Sequence, residues 1–323
     1  MRAVRIVKYG GPDDLAVEEI AEIEPAVGQV LVEVRAATVN PVDIGNLAGK
    51  VRSASGAVAV DPPRTAGRDY AGVVVRGPGH LLGQEVWGTG GQLAVGRPGT
   101  QADYVAVPGE SVRPKPAALS FTEAAAVGVS YTAAWLSLSE RLDVQAGENV
   151  LIFGASGAVG RAATDIAHWR GARVIGADQK VADDLLADVV LDTSKDDLVG
   201  AVLDATGGSG VDAALDTVGG ALFGPVLATL RHGGRSVVIA SAGSPVASVN
   251  VMEFYRNERS VSGVSTLDLS LVKAAGILDI LGRGFESGAL RVPPTMTFPL
   301  GEATAAYKKV VSGTGGTKVV LLP

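Results

Sequence analysis

Residues 150–178, VLIFGASGAVGRAATDIAHWRGARVIGAD, place a turn with three glycines between an apolar run and an amphipathic, alanine-rich run. The apolar run predicts a buried strand, and the segment after the turn has apolar positions at helical spacing. Gly154, Gly157 and Gly160 form the pattern G-x-x-G-x-x-G. Such glycines permit a tight turn and the close approach of a pyrophosphate to the positive end of the following helix. The stretch therefore predicts a dinucleotide-binding turn.

The residues that follow favour this interpretation over a glycine-rich turn without a ligand. A second strand, RVIGAD, ends at Asp178, eighteen positions after Gly160. This is close to the roughly 20-residue offset at which an acidic residue meets the adenosine ribose. We expect the turn residues Ser156, Ala158 and Val159 to contact the cofactor together with the three glycines.

Strands and helical segments alternate from about residue 119 to 263, whereas short strands broken by Gly and Pro dominate the residues before them. The alternation predicts an α/β fold with a doubly wound, Rossmann-type parallel sheet, and the interrupted strands predict a β-rich domain. A length of 323 residues also favours two domains. We predict one domain from residues 1–118 and 264–323, and a dinucleotide-binding domain from residues 119–263.

The composition limits the partners of the protein. A net charge of −6 without any run of Lys or Arg gives no electrostatic footprint for nucleic acid or for an anionic membrane surface. The chain has no cysteine and three histidines, so a cysteine zinc site is excluded and no catalytic metal is expected. No export signal and no apolar stretch long enough for a membrane helix is apparent. We expect a cytoplasmic protein with a small-molecule partner.

Further segments accompany the glycine turn: NPVD (40–43), AGRDYAGVV (66–74), GQEVWG (83–88), ADYVAVP (102–108), AAAVGVSYTAAWLSL (124–138), GVDAALDTVGG (210–220) and LRHGGRSVVIAS (230–241). With these segments the chain resembles, over nearly its whole length, the zinc-independent branch of the medium-chain dehydrogenase/reductases, the quinone oxidoreductase-like and enoyl reductase-like enzymes. The resemblance implies a GroES-like β-barrel domain beside the Rossmann domain, with the active site in a cleft between them. It also implies hydride transfer from NADPH to a quinone or an activated C=C bond, and a homodimer.

The three zinc-ligand positions of zinc-dependent relatives fall, by this resemblance, on Asn40, Arg68 and Val127. None of the three is a good zinc ligand of the family's type, so we expect no zinc. Hydrogen bonds would then polarise the substrate carbonyl, which suits conjugate reduction of an enone or quinone. Asn40 is our candidate donor to the substrate oxygen; its alternative role is that of a turn residue before Pro41.

Two charged residues near this position are expected to form a pair. Asp43 matches an acid that supports the metal shell in zinc-dependent relatives, and Arg68 occupies a former ligand position. A buried acid without a partner is costly, whereas an arginine can bind it through two hydrogen bonds. We therefore predict an Asp43–Arg68 ion pair; in the alternative, Arg68 pairs with Asp69 or faces solvent.

Other candidate site residues come from the resemblance and from strand ends. Tyr131 is a candidate proton donor, with core packing and proton delivery by solvent as alternatives, and Thr132 matches a threonine that approaches the nicotinamide in relatives. Ligands of open α/β sheets bind beyond the carboxyl ends of the strands. The residues that follow the later strands are therefore expected to face the cofactor, although ordinary turn chemistry would also explain them: Thr217, Val218, Ala240, Ser241, Gly263, Val264 and Ser265.

Three functions follow from these observations. The first is an NAD(P)H-dependent reductase of quinones or α,β-unsaturated carbonyl compounds. The second is a non-enzymatic cofactor-binding protein, and the third is a biosynthetic enzyme that uses the same cleft for non-redox or internally balanced redox chemistry. Fold alone does not decide among them.

We expect residues 47–64 to flank the substrate entrance, and shortening residues 52–60 to affect substrate affinity more than cofactor binding.

The end of the second cofactor strand bears on the choice of cofactor. An ionised Asp178 would accept hydrogen bonds from both ribose hydroxyls of NAD(H) but would repel the 2′-phosphate of NADP(H). We therefore predict that NAD(H) is favoured over NADP(H). Lys180 is the counter-evidence, because its ammonium group has the charge needed to neutralise Asp178 or to bind the phosphate.

Overall fold

The computed structural model describes residues 1–51, 61–91 and 93–323. The segment 52–60, to which the expectation on substrate affinity applies, lies outside the described residues. In the described residues the strands are, in chain order, β1 Arg2–Ile6, β2 Leu15–Glu19, β3 Gln29–Val39, β4 Arg64–Thr65, β5 Tyr70–Arg76, β6 Glu85–Gly88, β7 Tyr104–Pro108, β8 Arg113–Pro114, β9 Asn149–Phe153, β10 Arg173–Asp178, β11 Val189–Asp192, β12 Val211–Asp216, β13 Leu230–Val238, β14 Ser260–Gly263, β15 Thr295–Pro299 and β16 Lys318–Leu322.

The α-helices of the same residues lie mostly in the second half of the chain. They are α1 Pro41–Leu47, α2 Phe121–Trp135, α3 Ala158–Trp169, α4 Leu198–Ala205, α5 Phe223–Ala228, α6 Val251–Arg256, α7 Leu271–Glu286 and α8 Ala303–Val311. A π-helical turn, Leu136–Arg141, continues α2. Within the described part of the chain, none of these helices is long and apolar enough to cross a membrane.

The chain divides into two compact units. Unit 1 comprises Met1–Thr132, Thr266–Gly288 and Val292–Pro323, and unit 2 comprises Ala133–Ser265 and Ala289–Arg291. The boundaries differ from the predicted 118/119 and 263/264. The first lies inside α2, because the early part of this helix is hydrogen-bonded to unit 1: the Val129 N–H donates to Asp69 Oδ1 at 3.0 Å. The short return to unit 2 follows from Arg291, whose guanidinium group binds Asp165 of α3.

Unit 2, which is described in full, contains one parallel sheet of six strands in the order β11-β10-β9-β12-β13-β14. This is the doubly wound order, with the reversal of winding between β9 and β12. β9 lies at the centre, with Leu151 opposite Ile175 of β10 and Ala214 of β12. Strands that are covered on both faces are continuously apolar, and the buried LIF of β9 follows this rule. The predicted Rossmann-type fold is confirmed.

The connection between β10 and β11, residues 179–188, contains no helix. Doubly wound folds usually cover a parallel pair with a crossover helix. Here an irregular segment performs the crossover and buries Leu185, while Leu186 beside it is exposed. The residues that begin this connection therefore follow Asp178 directly, at the carboxyl edge of the sheet.

Unit 1 is largely antiparallel within its described residues. One sheet has the order β15-β16-β3-β5-β6-β8, with β7 also paired to β3, and a second has the order β2-β1-β4. β3 connects most of the larger sheet because it pairs with β16, β5 and β7. The register sets Val319 of β16 opposite Val39 and Tyr70 of β5 opposite Ala37. Lys318, Asn40 and Asp69, which adjoin these positions, are thereby brought to one end of the sheet.

Candidate functional site

The glycine turn joins β9 to α3 in unit 2 as the sequence predicts. Gly154 has φ +79°, in the left-handed region that favours glycine. A Cβ atom on Gly160 would lie 2.2 Å from the carbonyl oxygen of Gly154, so only glycine allows α3 to approach the end of β9 this closely. Gly157 precedes the helix as its N-cap residue, and Ala158, Val159 and Gly160 form its first turn. The first N–H groups of a helix have no partner within it and are suited to an anion.

Asp178 lies beside this turn and is fixed by two main-chain groups. Its Oδ2 atom accepts the N–H of Ser156 at 3.0 Å, and its Oδ1 atom accepts the N–H of Lys180 at 3.1 Å. Each carboxylate oxygen retains further acceptor capacity. The side chain is half-buried, so a bound group can still reach it. Lys180 contributes its amide to this arrangement, while its ammonium group makes no ion pair with a described residue.

A cavity of about 340 Å³ lies at the carboxyl edge of the unit 2 sheet. Its lining includes Gly154 and Asp178 from the turn and from β10, Val218 and Gly219 from the loop after β12, and Ala242. The buried carboxylate of Asp216 shapes this wall, because its Oδ1 atom accepts the N–H groups of Val218 and Gly219 at 2.9 and 2.7 Å. Burial raises the pKa of Asp216. Gly154, the first glycine of the turn, and Asp178 therefore border one cavity, whereas Ser156, Ala158, Val159 and the other two glycines are not in its lining.

Not every predicted cofactor residue lies in the wall of this cavity. Thr217 is next to it and donates its hydroxyl to the carbonyl oxygen of Phe153 at 2.8 Å. After β13 the lining is formed by Ala242 and Gly243, whereas Ala240 and Ser241 are exposed outside it. Gly263 is the last residue of the edge strand β14, Val264 and Ser265 follow it, and all three are likewise absent from the lining. Their proposed cofactor contacts stay predictions.

A cluster of polar side chains is buried at one end of the larger sheet of unit 1, and Asp69 is at its centre. The carboxylate of Asp69 accepts hydrogen bonds from Thr38 Oγ1 at 2.5 Å, Asn40 Nδ2 at 2.8 Å and Thr89 Oγ1 at 2.5 Å. The N–H of Val129 in α2 is a fourth donor. Charge-assisted hydrogen bonds of this kind are what a buried carboxylate requires.

Asn40 is fully engaged inside this cluster. Its amide group donates to Asp69 and, at 3.3 Å, to Thr38 Oγ1, and its Oδ1 atom accepts Lys318 Nζ at 2.5 Å. Its main chain begins α1: the Asn40 N–H donates to Asp43 Oδ2 at 2.7 Å, and Pro41 is the first helical residue. Both amide hydrogens therefore have protein partners. The structure favours the turn interpretation, and the role of donor to substrate is not supported.

The predicted ion pair between Asp43 and Arg68 is wrong. Arg68 is fully buried, which also excludes the solvent-facing alternative. Its Nη2 atom donates to the carbonyl oxygens of Gly91 at 3.1 Å and Thr266 at 2.8 Å, and its other hydrogen bond goes to Thr266 Oγ1. None reaches Asp43 or Asp69 among the described residues. Main-chain carbonyls, which cannot be recognised in a sequence pattern, compete successfully for the guanidinium group.

Asp43 nevertheless lies in the field of this cluster. Burial raises its pKa to about 7, and the charge of Asp69 acts in the same direction, whereas the Asn40 N–H, Arg68 and Lys318 lower it. Burial likewise lowers the pKa of Lys318 and of Arg68, while the two carboxylates oppose this shift. Asp43, Asp69, Arg68 and Lys318 thus lie close enough for their charges to act on one another.

Tyr131 and Thr132 lie at the end of unit 1 that precedes the first boundary. The ring of Tyr131 is buried and packs edge-on against Phe285, with ring centroids 5.0 Å apart. This is the core packing that the sequence left open, and its role as proton donor stays a prediction. The hydroxyl of Thr132 is buried without a hydrogen-bond partner among the described residues.

Comparison with known proteins decides the family. Residues 26–117 match the alcohol dehydrogenase GroES-like domain family, and residues 158–277 match the zinc-binding dehydrogenase family. A zinc-type alcohol dehydrogenase-like protein of Schizosaccharomyces pombe is 36% identical, over 90% of this chain and 87% of its own length. Human quinone oxidoreductase is 30% identical, over 100% of this chain and 98% of its own length.

The chain belongs to the quinone oxidoreductase-like medium-chain dehydrogenase/reductases. The solved structures agree with this: an alcohol dehydrogenase superfamily protein from Novosphingobium aromaticivorans has a TM-score of 0.88 and 29% identity, over 100% of this chain and 99% of that one. Unit 1 carries the family's GroES-like domain and unit 2 its Rossmann domain, as expected.

The family includes zinc-dependent members, but the donors of this medium-chain reductase do not fit zinc. The three positions that correspond to zinc ligands in zinc-dependent relatives are Asn40, Arg68 and Val127. The amide of Asn40 is already hydrogen-bonded through both its nitrogen and its oxygen, Arg68 is a buried cation, and the side chain of Val127 has no donor atom. Zinc in such sites takes thiolate, imidazole or carboxylate ligands. Among the described residues, no three His, Cys, Asp or Glu side chains are grouped so that they could hold a metal ion.

Sequence reasoning missed several members of the buried cluster. The position of Asp69 in the sequence could have revealed it, because Asp69 directly precedes the apolar strand YAGVVV. An acid next to a buried strand is itself buried only when it has polar partners, and this marks it as the centre of a polar cluster. Gly128 carried no such signal: a Cβ atom there would lie 2.4 Å from Asp69 Oδ1, so the glycine admits the carboxylate to α2. Lys318 also carried none, since a lysine at the start of a strand usually faces solvent.

The pKa of Asp43 predicts a pH-dependent stability. Because the folded chain holds a proton on Asp43 up to about pH 7 and the unfolded chain releases it near 3.8, the contribution of Asp43 to stability falls as pH rises through this range. Asn in place of Asp43 keeps an oxygen for the Asn40 N–H and removes the titration. The free energy of unfolding of Asp43→Asn minus that of the wild type should therefore increase across this range and level off above it.

Urea unfolding at several pH values between about 5 and 8 measures this difference. Asp183→Asn, which removes an exposed carboxyl group, is the matched control and should give a flat difference. A flat difference for Asp43→Asn as well would contradict the raised pKa.

Proposed function

We propose that this protein is an NAD(P)H-dependent reductase of quinones or α,β-unsaturated carbonyl compounds. The observation that carries the proposal is the cavity in unit 2 that is bordered by Gly154, at the start of the glycine turn, and by Asp178. Family membership supports an oxidoreductase, and the similarity to human quinone oxidoreductase supports a quinone or a related acceptor. Fold alone would not justify this step, because one fold serves many reactions.

The residues of this cavity and of the adjoining glycine turn fit a nicotinamide dinucleotide. The turn from Gly154 to Gly160 and the free N–H groups of α3 suit a pyrophosphate, and the carboxylate of Asp178 suits the hydroxyls of a ribose. When bound, the nicotinamide group supplies a hydride. Asp216 accepts the N–H groups of Val218 and Gly219 and so holds these two residues in place in the cavity wall. They would contact a dinucleotide bound in the cavity.

The proposed class of hydride acceptor rests on the side chains at three positions of unit 1, none of which offers a zinc ligand. Alcohol oxidation in zinc-dependent relatives relies on a metal for which the positions of Asn40, Arg68 and Val127 offer no ligands. A quinone or an enone delocalises the incoming electron pair onto its oxygen, so hydrogen bonds suffice to stabilise it. A reduced quinone also takes its protons from solvent, and this chemistry makes no demand on the buried Tyr131.

The proposed activity can be tested with the purified protein. We expect loss of reduced nicotinamide absorbance with a quinone or an α,β-unsaturated ketone, and none with simple alcohols and oxidised cofactor. Gly160→Ala should weaken cofactor binding at least about tenfold, because its Cβ atom would displace α3 from Gly154. Gly276→Ala in α7 is the control, since a Cβ atom there meets open space.

Other results would select the alternatives. Cofactor binding without turnover across a broad panel of acceptors would support a binding protein. A product of unchanged mass would indicate non-redox or internally balanced chemistry.

The chain is proposed to favour NADH over NADPH, with Asp178 as the reason. A 2′-phosphate near this carboxylate is a like-charge contact that costs up to several kcal/mol when desolvated. Asp178→Ser should therefore shift the ratio of kcat/KM values toward NADPH by about tenfold or more. Lys180→Ala should leave the wild-type ratio nearly unchanged, since the ammonium group of Lys180 makes no ion pair with Asp178. A wild-type preference for NADPH, or no shift in Asp178→Ser, would contradict this proposal.

We propose in addition that the protein is a homodimer joined at β14. This strand is the edge of the unit 2 sheet, and its four residues are exposed. Such an edge offers unpaired N–H and C=O groups to a second copy. By light scattering, Val261→Lys should convert the dimer to a monomer. Val190→Lys on the opposite edge strand β11 is matched to it, because the two valines are 41% and 42% exposed, and it should stay dimeric. A wild-type monomer would refute the dimer.

A further inference from the structure

The connection between β10 and β11 is fastened to the glycine turn by side chains. The N–H of Ala182 donates to Ser156 Oγ at 3.0 Å. Two residues further, the carboxylate of Asp184 accepts Nη1 and Nη2 of Arg161 at 3.0 and 2.6 Å. Two parallel hydrogen bonds of this kind combine charge with a fixed geometry. The connection is thus held against the glycine turn and the start of α3.

Arg161 and Asp178 are held by the same residue of the glycine turn. Both groups bind the main chain of Ser156: the N–H of this residue donates to Asp178 Oδ2, and its carbonyl oxygen accepts Arg161 Nε at 3.1 Å. Arg161 is also in the first turn of α3, at the positive end of the helix. A guanidinium group beside the ribose-binding acid is the donor that best matches a phosphate.

In this chain Asp184 occupies that guanidinium group. The arginine side chain is 17% exposed, whereas Asp184 is 65% exposed on the outer side of the pair. Arg161 holds the pKa of Asp184 below its usual range, as a charged partner does. Nε binds Ser156, and one N–H of each Nη atom binds Asp184, so neither edge of the Arg161 guanidinium group offers a complete parallel pair of donors to a second anion.

We propose that Asp184 is a specificity-determining residue that excludes the 2′-phosphate of NADP(H) by occupying Arg161. Asp178 repels the phosphate, and Asp184 withholds the cation that would compensate for it. This inference rests on the proposed function, in that the cavity beside Asp178 must bind a nicotinamide dinucleotide. It assigns part of the cofactor choice to the Arg161–Asp184 ion pair, six residues beyond the end of β10. Lys180 has no role in this choice.

Dissociation constants of NADH and NADPH for the full chain, measured by fluorescence titration, test the pair. Asp184→Asn should strengthen NADPH binding about tenfold and leave NADH binding within about twofold, because only the phosphate meets the released guanidinium group. Asp184→Ser should do the same. In the double variant Arg161→Met with Asp184→Asn the gain should disappear, since the cation itself is removed.

Asp183→Asn is the matched control, because it removes the neighbouring exposed carboxyl group, and the same net charge, without touching Arg161. An equal gain in Asp183→Asn, no gain in Asp184→Asn and Asp184→Ser, or a gain that survives the loss of Arg161 would overturn the inference. NADH binding by the wild type in such a case would leave the proposed function intact. Failure of the wild type to bind either nucleotide would instead reject the proposed function, and the inference with it.

Discussion

The buried carboxylate of Asp69 is the group on which the polar interior of unit 1 depends. Removing a carboxylate from water is tolerated only where several donors replace the lost hydration. That requirement explains why two threonines, Asn40 and the main chain of α2 all point at one side chain. It also explains Gly128, where any larger residue would collide with the carboxylate. The need to hydrogen-bond the carboxylate of Asp69 thus accounts for the residue types around it.

Arg68, the preceding residue, extends this arrangement to the segments through which the chain leaves and re-enters unit 1. Asp69 holds Val129, shortly before the boundary at Thr132, and Arg68 holds Thr266, the first residue after the return. Two successive buried charges therefore anchor both segments within unit 1. Here the region that carries the zinc-ligand positions of zinc-dependent relatives is a buried network of hydrogen bonds around Asp69.

The sequence predicted well what is encoded locally. The glycine turn, the position of Asp178 at the end of β10 and the doubly wound parallel sheet of unit 2 follow from spacing over a few tens of residues, and the family resemblance added the GroES-like domain. Contacts between distant segments were not predictable in this way. Lys318 binds Asn40 across nearly the whole chain, and Arg68 selects two carbonyl groups over the expected Asp43. Periodicity reports whether a residue is buried, but the partner of a buried polar group depends on tertiary contacts.

The position of β16 has a consequence for the order in which the chain folds during synthesis. This strand pairs with β3, and Lys318 at its start completes the cluster around Asn40. Translation therefore has to deliver residues 318–322 before the sheet that begins near residue 29 can close. Unit 2 is made almost entirely from the continuous stretch Ala133–Ser265, so it can fold on the ribosome while unit 1 waits. Until then, β3 lacks its partner strand, and its open edge is exposed to pairing with other chains.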